Sequence, residues 1–190
     1  QFKYRPGIKP VNNKFVTEAI QALDYIYKVE GTPNKVINEL SYSHYATVNI
    51  NSNARKGVEI KTESTQTEAT ITWNPNIGNS IVDDFGNETG AKQSPATILA
   101  HELGHAFHFL NLFDKASTDK RKDIPQFDNK EEKTQIIGIE SDVAKFYCEG
   151  IRTNHNGNDI YTNGPVSTNE IVSNVKIVEG KEVELKDNDR

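Results

Sequence analysis

Residues 101–105 read His-Glu-Leu-Gly-His, and no other stretch constrains this 190-residue chain as strongly. On a helix, histidines four residues apart stand one turn above the other on one face. Their ring nitrogens then close on a single metal ion, with the intervening glutamate beside its open position. Zinc takes imidazole and carboxylate ligands at about 2.0–2.2 Å and, in a catalytic site, keeps one position for water. The pKa of that water falls to roughly 7, and a neighbouring carboxylate moves its proton. His101 and His105 are therefore the expected Zn²⁺ ligands and Glu102 the expected catalytic base, a set suited to hydrolysing a peptide bond.

The flanking residues predict the helix that this geometry needs. Ser94-Pro95 reads as an N-cap followed by proline at the first helical position. Leu99, Leu103, Ala106 and Leu110 then form an apolar stripe, with Ile98, His101, His105 and His108 beside it, and the pattern weakens at Asn111. Gly104 within a helix costs about 1 kcal/mol relative to alanine, so another backbone element is expected to approach closely there.

Two histidines leave a third protein ligand to be found. His108 is a poor one, because it stands about 10.5 Å from His101 along a straight helix axis; it reads as a core residue or one behind the ligands. The periodicity predicts a second helix from Thr134 to Glu149, stopped by Gly150. Ile136, Ile139, Val143, Phe146 and Tyr147 make its buried face, and Glu140 falls inside that face. Ser141, Asp142, Lys145 and Glu149 lie opposite. A carboxylate on an apolar face is costly unless paired. Zinc is one such partner and a salt bridge another, so Glu140 is the expected third ligand, with Asp142 as runner-up.

The remaining segments predict an α+β order. A first helix, capped by Asn12 or Asn13, turns Phe15, Ala19, Leu23, Ile26 and Tyr27 inward, and a shorter one opens at Thr32-Pro33. Alternating runs at Ala46–Asn51, Val58–Thr62 and Ala69–Trp73 read as strands, the last an edge strand ended by Pro75. Asn76–Gln93 reads as a long loop in which Asp83-Asp84 are solvated turn residues. Lys115–Lys133 reads as a charged, mobile connection, and a terminal hairpin turns about Gly180. Residues 1–190 are expected to form one domain, with a core of about 12–165 and a hairpin or tail over 166–190. A net charge of −5 argues against nucleic acid or an anionic membrane as partner. No apolar run reaches the roughly 18 residues that a spanning helix needs. Cys148, the single cysteine, reads as a small buried hydrophobe. A chain that begins at Gln1 and lacks methionine is expected to be a processed or excised part of a longer product, and a monomer.

This order of strands, a helix with His101 and His105 and a second helix with Glu140 resembles zinc metallopeptidase domains of the gluzincin type. Within them it resembles the bacterial type III effector metallopeptidases, whose domain also occurs at the C-termini of large polymorphic toxins. The resemblance is carried by Ile71-Thr72-Trp73-Asn74-Pro75, Ser94-Pro95 and Leu99-Ala100-His101-Glu102-Leu103-Gly104-His105-Ala106, and more loosely by Glu140-Ser141-Asp142-Val143-Ala144-Lys145-Phe146, Arg152 and Tyr161. It implies a zincin-like α+β fold, with a small mixed or antiparallel sheet packed on the active-site helix and a second ligand-bearing helix. It implies a secreted zinc endopeptidase, delivered into another cell, whose protein substrate lies along an edge strand, here Ala69–Trp73. It also implies that His101, His105 and Glu140 hold zinc and that Glu102 is the base, with Tyr161 a candidate donor to the oxyanion that reads equally as ordinary surface packing. Two other readings stand beside it: a non-catalytic protein-binding module on the same scaffold, and a self-processing peptidase that cuts its own precursor near Gln1.

Overall fold

Apolar residues at helical spacing open the folded part of the chain, whose computed structural model describes residues 14–43, 47–52, 58–62, 67–171, 175–178 and 181–184. Helix α1 (Lys14–Tyr27) buries Ala22, Leu23 and Ile26, while Tyr27, expected inside, is 46% exposed. The expected caps Asn12 and Asn13 lie outside the described residues. Helix α2 (Thr32–Tyr42) carries Pro33 in its first turn and buries Val36 and Ile37.

Three strands follow, as the alternation predicts: β1 (Thr47–Ser52), β2 (Val58–Thr62) and β3 (Glu68–Trp73). Their order is β1-β3-β2, with β1 parallel and β2 antiparallel to β3. β3 is thus central, not the expected edge. Pro75 lies in the turn beyond it and so removes no ladder hydrogen bond. Ala69, Ile71 and Trp73 on alternate positions are fully buried, and Trp73 Nε1 donates to the Pro95 carbonyl at 3.0 Å.

Residues 76–93, expected as a loop, form the hairpin of β4 (Ile77–Val82) and β5 (Glu88–Gln93). Every residue of β4 is buried, so both faces are covered and its Gly, Asn and Ser conceal any two-residue alternation. Asp83 builds the turn, accepting from the backbone N–H groups of Phe85 and Asn87 at 2.9 Å.

Helix α3 (Pro95–Asn111) carries the pentad and leads into α4 (Phe113–Lys120), the two-residue strands β6 (Asp123–Ile124) and β7 (Asp128–Asn129), and α5 (Lys130–Gln135). The stretch expected as a mobile connection is therefore folded, and its charges explain why. Asp119 gathers Lys115, Lys130 and Lys122 at 3.0, 3.1 and 3.2 Å, fastening α4 to the start of α5. A π-helical turn (Ile136–Glu140) joins α5 to α6 (Ser141–Phe146), with Gly138 non-helical at φ −87°, ψ −110°. The single helix expected over 134–149 is thus three pieces beginning at 130. The extra residue in the turn rephases the helix beyond it, so Ser141 is buried and Phe146 is 56% exposed. The helix ends before Cys148, which has φ +56° and is exposed rather than buried.

Strand β8 (Gly157–Tyr161) pairs antiparallel with β4 on the side away from β5. The terminal hairpin is β9 (Val175–Val178) with β10 (Lys181–Glu184). The result is a mixed α+β fold with small sheets. Its main core joins Leu23 and Ile26 of α1, Ile71 and Trp73 of β3, Leu99 and Leu103 of α3, and Ile139 and Val143 of the facing segment. No helix among the described residues is long and apolar enough to cross a membrane.

Candidate metal centre

Ser94 is extended ahead of α3, and its Oγ accepts from the Thr97 N–H at 3.3 Å, the capping role its position predicts. The helix then runs unbroken through the pentad. His101 Nε2 and His105 Nε2 face each other at 2.8 Å, and Glu132 Oε2 lies 3.1 Å from each. These three are the one group of histidine and acidic side chains among the described residues whose ligand atoms lie within 4.8 Å of one another.

Glu140, expected as the third ligand, stands on the other edge of the His101 ring. Its Oε2 accepts from His101 Nδ1 at 2.9 Å, and its Oε1 accepts from Gln93 Nε2 at 2.8 Å and Arg152 Nε at 2.7 Å. Arg152 Nη2 also donates to Oε2. The apolar face does demand a partner for this fully buried carboxylate. A guanidinium, an imidazole and an amide meet the demand, and the place beside both Nε2 atoms belongs to Glu132.

His105 is held in the same way as His101, with its Nδ1 donating to Glu131 Oε2. A carboxylate only accepts, so each Nδ1 carries a hydrogen, and in the neutral ring each Nε2 then turns a lone pair to the common point. Two imidazole lone pairs and a carboxylate oxygen at 2.8–3.1 Å repel one another unless positive charge, a proton or a metal ion, lies between them. Four-coordinate zinc with ligands near 2.05 Å sets them about 3.3 Å apart, so an opening of a few tenths of an ångström admits it. Carboxylates behind both histidines are the usual support of metal-binding imidazoles. The donor set fits a zinc-like ion. On the same helix, Glu102 Oε2 is buried without a hydrogen-bond partner among the described residues.

With protons in place of a metal ion, the surrounding acids draw positive charge onto both rings. Burial pulls His105 down, but its bonds to Glu131 and Glu132 override this and push it up to about 10. Burial and the charge of His105 lower His101, yet Glu132 and Glu140 turn the net direction upward. Burial works to raise Glu132, and the two histidines bring it well below the carboxylate range. Glu140 is likewise raised by burial but brought by Arg152 and His101 to about 2.

Local sequence explains how the acids arrive. Asn129 caps α5, its Oδ1 accepting from the N–H groups of Glu131 at 2.9 Å and Glu132 at 3.0 Å. Both acids therefore sit in the first turn, where the helix dipole favours negative charge. Glu132 and Glu140 are eight residues apart, which on a straight α-helix places them about 80° from each other. The residue inserted by the π turn makes the spacing effectively seven and the angle about 20°. One face then serves both nitrogens of the same ring. At Gly104 the close approach comes from side chains rather than the expected backbone: a Cβ there would overlap Gln135 Oε1 and stand 2.8 Å from Ile139 Cγ2.

His108 lies one turn beyond His105, its Nδ1 2.9 Å from Gln135 Nε2 and 3.5 Å from Glu131 Oε1. Asp142 and Tyr161, which is 45% exposed at the end of β8, make none of the bonds described above. Sequence reasoning missed Glu132, Glu131 and Gln93. For the two glutamates a signal existed: Asn129-Lys130-Glu131-Glu132 ahead of Ile136 and Ile139 is an N-cap with an acid three residues later.

Residues 10–158 match the Peptidase M91 family, described as effector protein. A comparison with curated proteins gives no match.

Proposed function

We propose, since the chain belongs to the Peptidase M91 family of bacterial effector metallopeptidases, that it is a zinc endopeptidase which is secreted and cuts a protein inside a target cell. One observation carries this reading. His101 Nε2, His105 Nε2 and Glu132 Oε2 converge on a single point, and Glu102, between the two histidines on the same helix, has a buried Oε2 without a hydrogen-bond partner among the described residues. His101, His105 and Glu132 are the ligands in this reading, and Glu140 and Glu131 orient the two imidazoles. The site has zincin-like logic: a helix with both histidines faces a second ligand-bearing segment.

Zinc held there supplies a Lewis acid and an acidified water. With the metal held by His101, His105 and Glu132, Glu102 would take a proton from the attacking water as the water oxygen bonds to the scissile carbonyl carbon and the C=O π pair moves onto the carbonyl oxygen. Glu102 then returns the proton to the amide nitrogen. The C–N bond breaks, its electron pair leaves with nitrogen, and the remaining hydroxyl proton passes to the amine, giving carboxylate and ammonium. A cavity of about 140 Å³ adjoins the centre, lined by His105, Phe109, Ala116, Ser117, Lys120 and Glu132 among others, and it can seat a substrate side chain. The central position of β3 closes it to strand addition, so the cleft between α3, α4 and α5 replaces it as the docking place in this reading.

The test is a peptide-library digest with the zinc-loaded chain, beside metal analysis. The expected result is about one zinc per chain and cleavage that Glu102→Gln stops while its zinc is kept. Equal cleavage by both proteins refutes the role of Glu102, and bound zinc with no cleavage turns the reading towards a binding module.

A further inference from the structure

We infer that His155 is a further catalytic residue: held by Asp128, it donates a hydrogen bond to the scissile carbonyl oxygen as negative charge develops there. The inference rests on the peptidase reading above and adds the donor that this reading leaves unassigned.

His155 belongs to neither helix of the centre, yet its ring reaches it. Nε2 lies 3.3 Å from Glu132 Oε2, and the ring is stacked near His101, with centroids 6.2 Å apart and planes 19° from parallel. It lies outside the three-residue group at the convergence point, so it borders that point without being one of the group that converges there. A third of its side chain is exposed, which leaves the ring reachable from outside.

The other edge of the ring is fixed. Nδ1 donates to Asp128 Oδ2 at 2.5 Å, and Nε2 on the opposite edge faces the Glu132 carboxylate, which only accepts, so the ring meets the centre as a hydrogen-bond donor. The backbone holds this pair in register from both sides. His155 N donates to the Gln126 carbonyl at 2.8 Å. Next to it, Asn154 is buried and donates to the Val82 carbonyl at 3.2 Å and to Asp84 Oδ1 at 2.8 Å. Asp128 has φ +59°, and among the described residues only one other non-glycine residue, Cys148, has positive φ. Such backbone costs free energy and persists where surrounding structure imposes it, often at functional sites. Packing alone does not call for a half-open histidine locked by an acid on one nitrogen and aimed with the other at a cluster of metal-ligand type. Transition-state stabilisation does, because a donor fixed in advance needs no reorganisation when charge develops.

The experiment compares zinc-loaded wild type with His155→Phe, His155→Gln and Asp128→Asn on a peptide taken from the wild-type digest. Zinc content, kcat, KM and inhibition by the phosphinic analogue of that peptide are measured for each. His155→Phe should keep its zinc and its KM while kcat falls about 10²–10³-fold, the usual loss for one such donor. Affinity for the phosphinic analogue should fall in parallel with kcat/KM. His155→Gln, which keeps an N–H, should recover part of the rate, and Asp128→Asn should lie between wild type and His155→Phe. Unchanged kcat in His155→Phe overturns the inference and leaves the peptidase reading standing. Loss of zinc together with activity overturns it too, because His155 is then a ligand. A wild type that cuts nothing removes both at once.

Discussion

Helix α3 carries its two histidines on seventeen unbroken helical residues, whereas the segment facing it carries the carboxylates on α5, a π-helical turn and α6. The two arms solve different problems. Nitrogens four residues apart need only regular geometry, and α3 obtains it from apolar burial through Leu99, Leu103 and Ala106. Carboxylates that must reach both nitrogens of one ring from eight residues apart need a break in the helix. Polar clamps hold that irregular arm: Asn129 caps it, Ser141 Oγ donates to the Ile136 carbonyl at 2.6 Å across the π turn, and Arg152 grips Glu140. Packing thus fixes one half of the centre and hydrogen bonding the other.

The sharpest way to break this comparison is to separate the two acids of the irregular arm. Glu132→Gln should weaken zinc binding by more than the roughly 10–100-fold that marks the loss of an outer partner, and Glu140→Gln should fall inside that range. Competition with a chelator of known affinity reads both values. Equal losses would erase the distinction between ligand and orienting acid. The next largest effect belongs to the clamp. Arg152→Met leaves the buried Glu140 without its guanidinium, and breaking such a pair costs about 3–5 kcal/mol. Thermal denaturation of the metal-free protein should register it as a large drop in Tm, and an unchanged Tm would show that Glu140 does not depend on Arg152.

The same contrast decides what could be read from the sequence. The regular arm was legible to the residue: Ser94 as cap, the helix over 95–111, the shared face of His101 and His105. Its period is 3.6 throughout, and its burial is apolar. The irregular arm was legible only in part. Ile136, Ile139 and Val143 are buried as predicted, but a straight helical phase cannot pass through an inserted residue, so Ser141 and Phe146 came out on the wrong sides. Glu132 was hidden for another reason, since it lies in a charged run whose order depends on ion pairs around Asp119, which carry no periodicity. Glu140 was recognised as a carboxylate in need of a partner. Which partner depends on Arg152, twelve residues on, and on Gln93, brought from a hairpin that read as a loop.

A smaller effect measures how closely the two arms touch. Gly104→Ala gains about 1 kcal/mol of helix propensity but forces a methyl into Gln135 and Ile139, and such overpacking costs about 1–3 kcal/mol. The balance should be a net loss of up to about 2 kcal/mol in urea unfolding, with zinc binding weakened as Gln135 shifts. A stabilised variant would mean that the arms have room between them.

The smallest expected effect tests whether ion pairs order the irregular arm. Hydrogen bonds from Lys115 and Lys130 hold the Asp119 carboxyl well below the usual carboxylate range. A depressed value in the fold means that the unfolded chain binds the proton more tightly. The contribution is therefore complete above about pH 3.9, the ordinary aspartate value, and fades as the pH falls below it. Asp119→Asn should lower Tm at neutral pH by less than Gly104→Ala does, and the gap from wild type should close on acidification below that value. Because the three lysines are roughly half exposed, molar salt should narrow the gap as well. A gap independent of both pH and salt would show that Asp119 acts through packing, and the irregular arm would then be held in the same manner as α3.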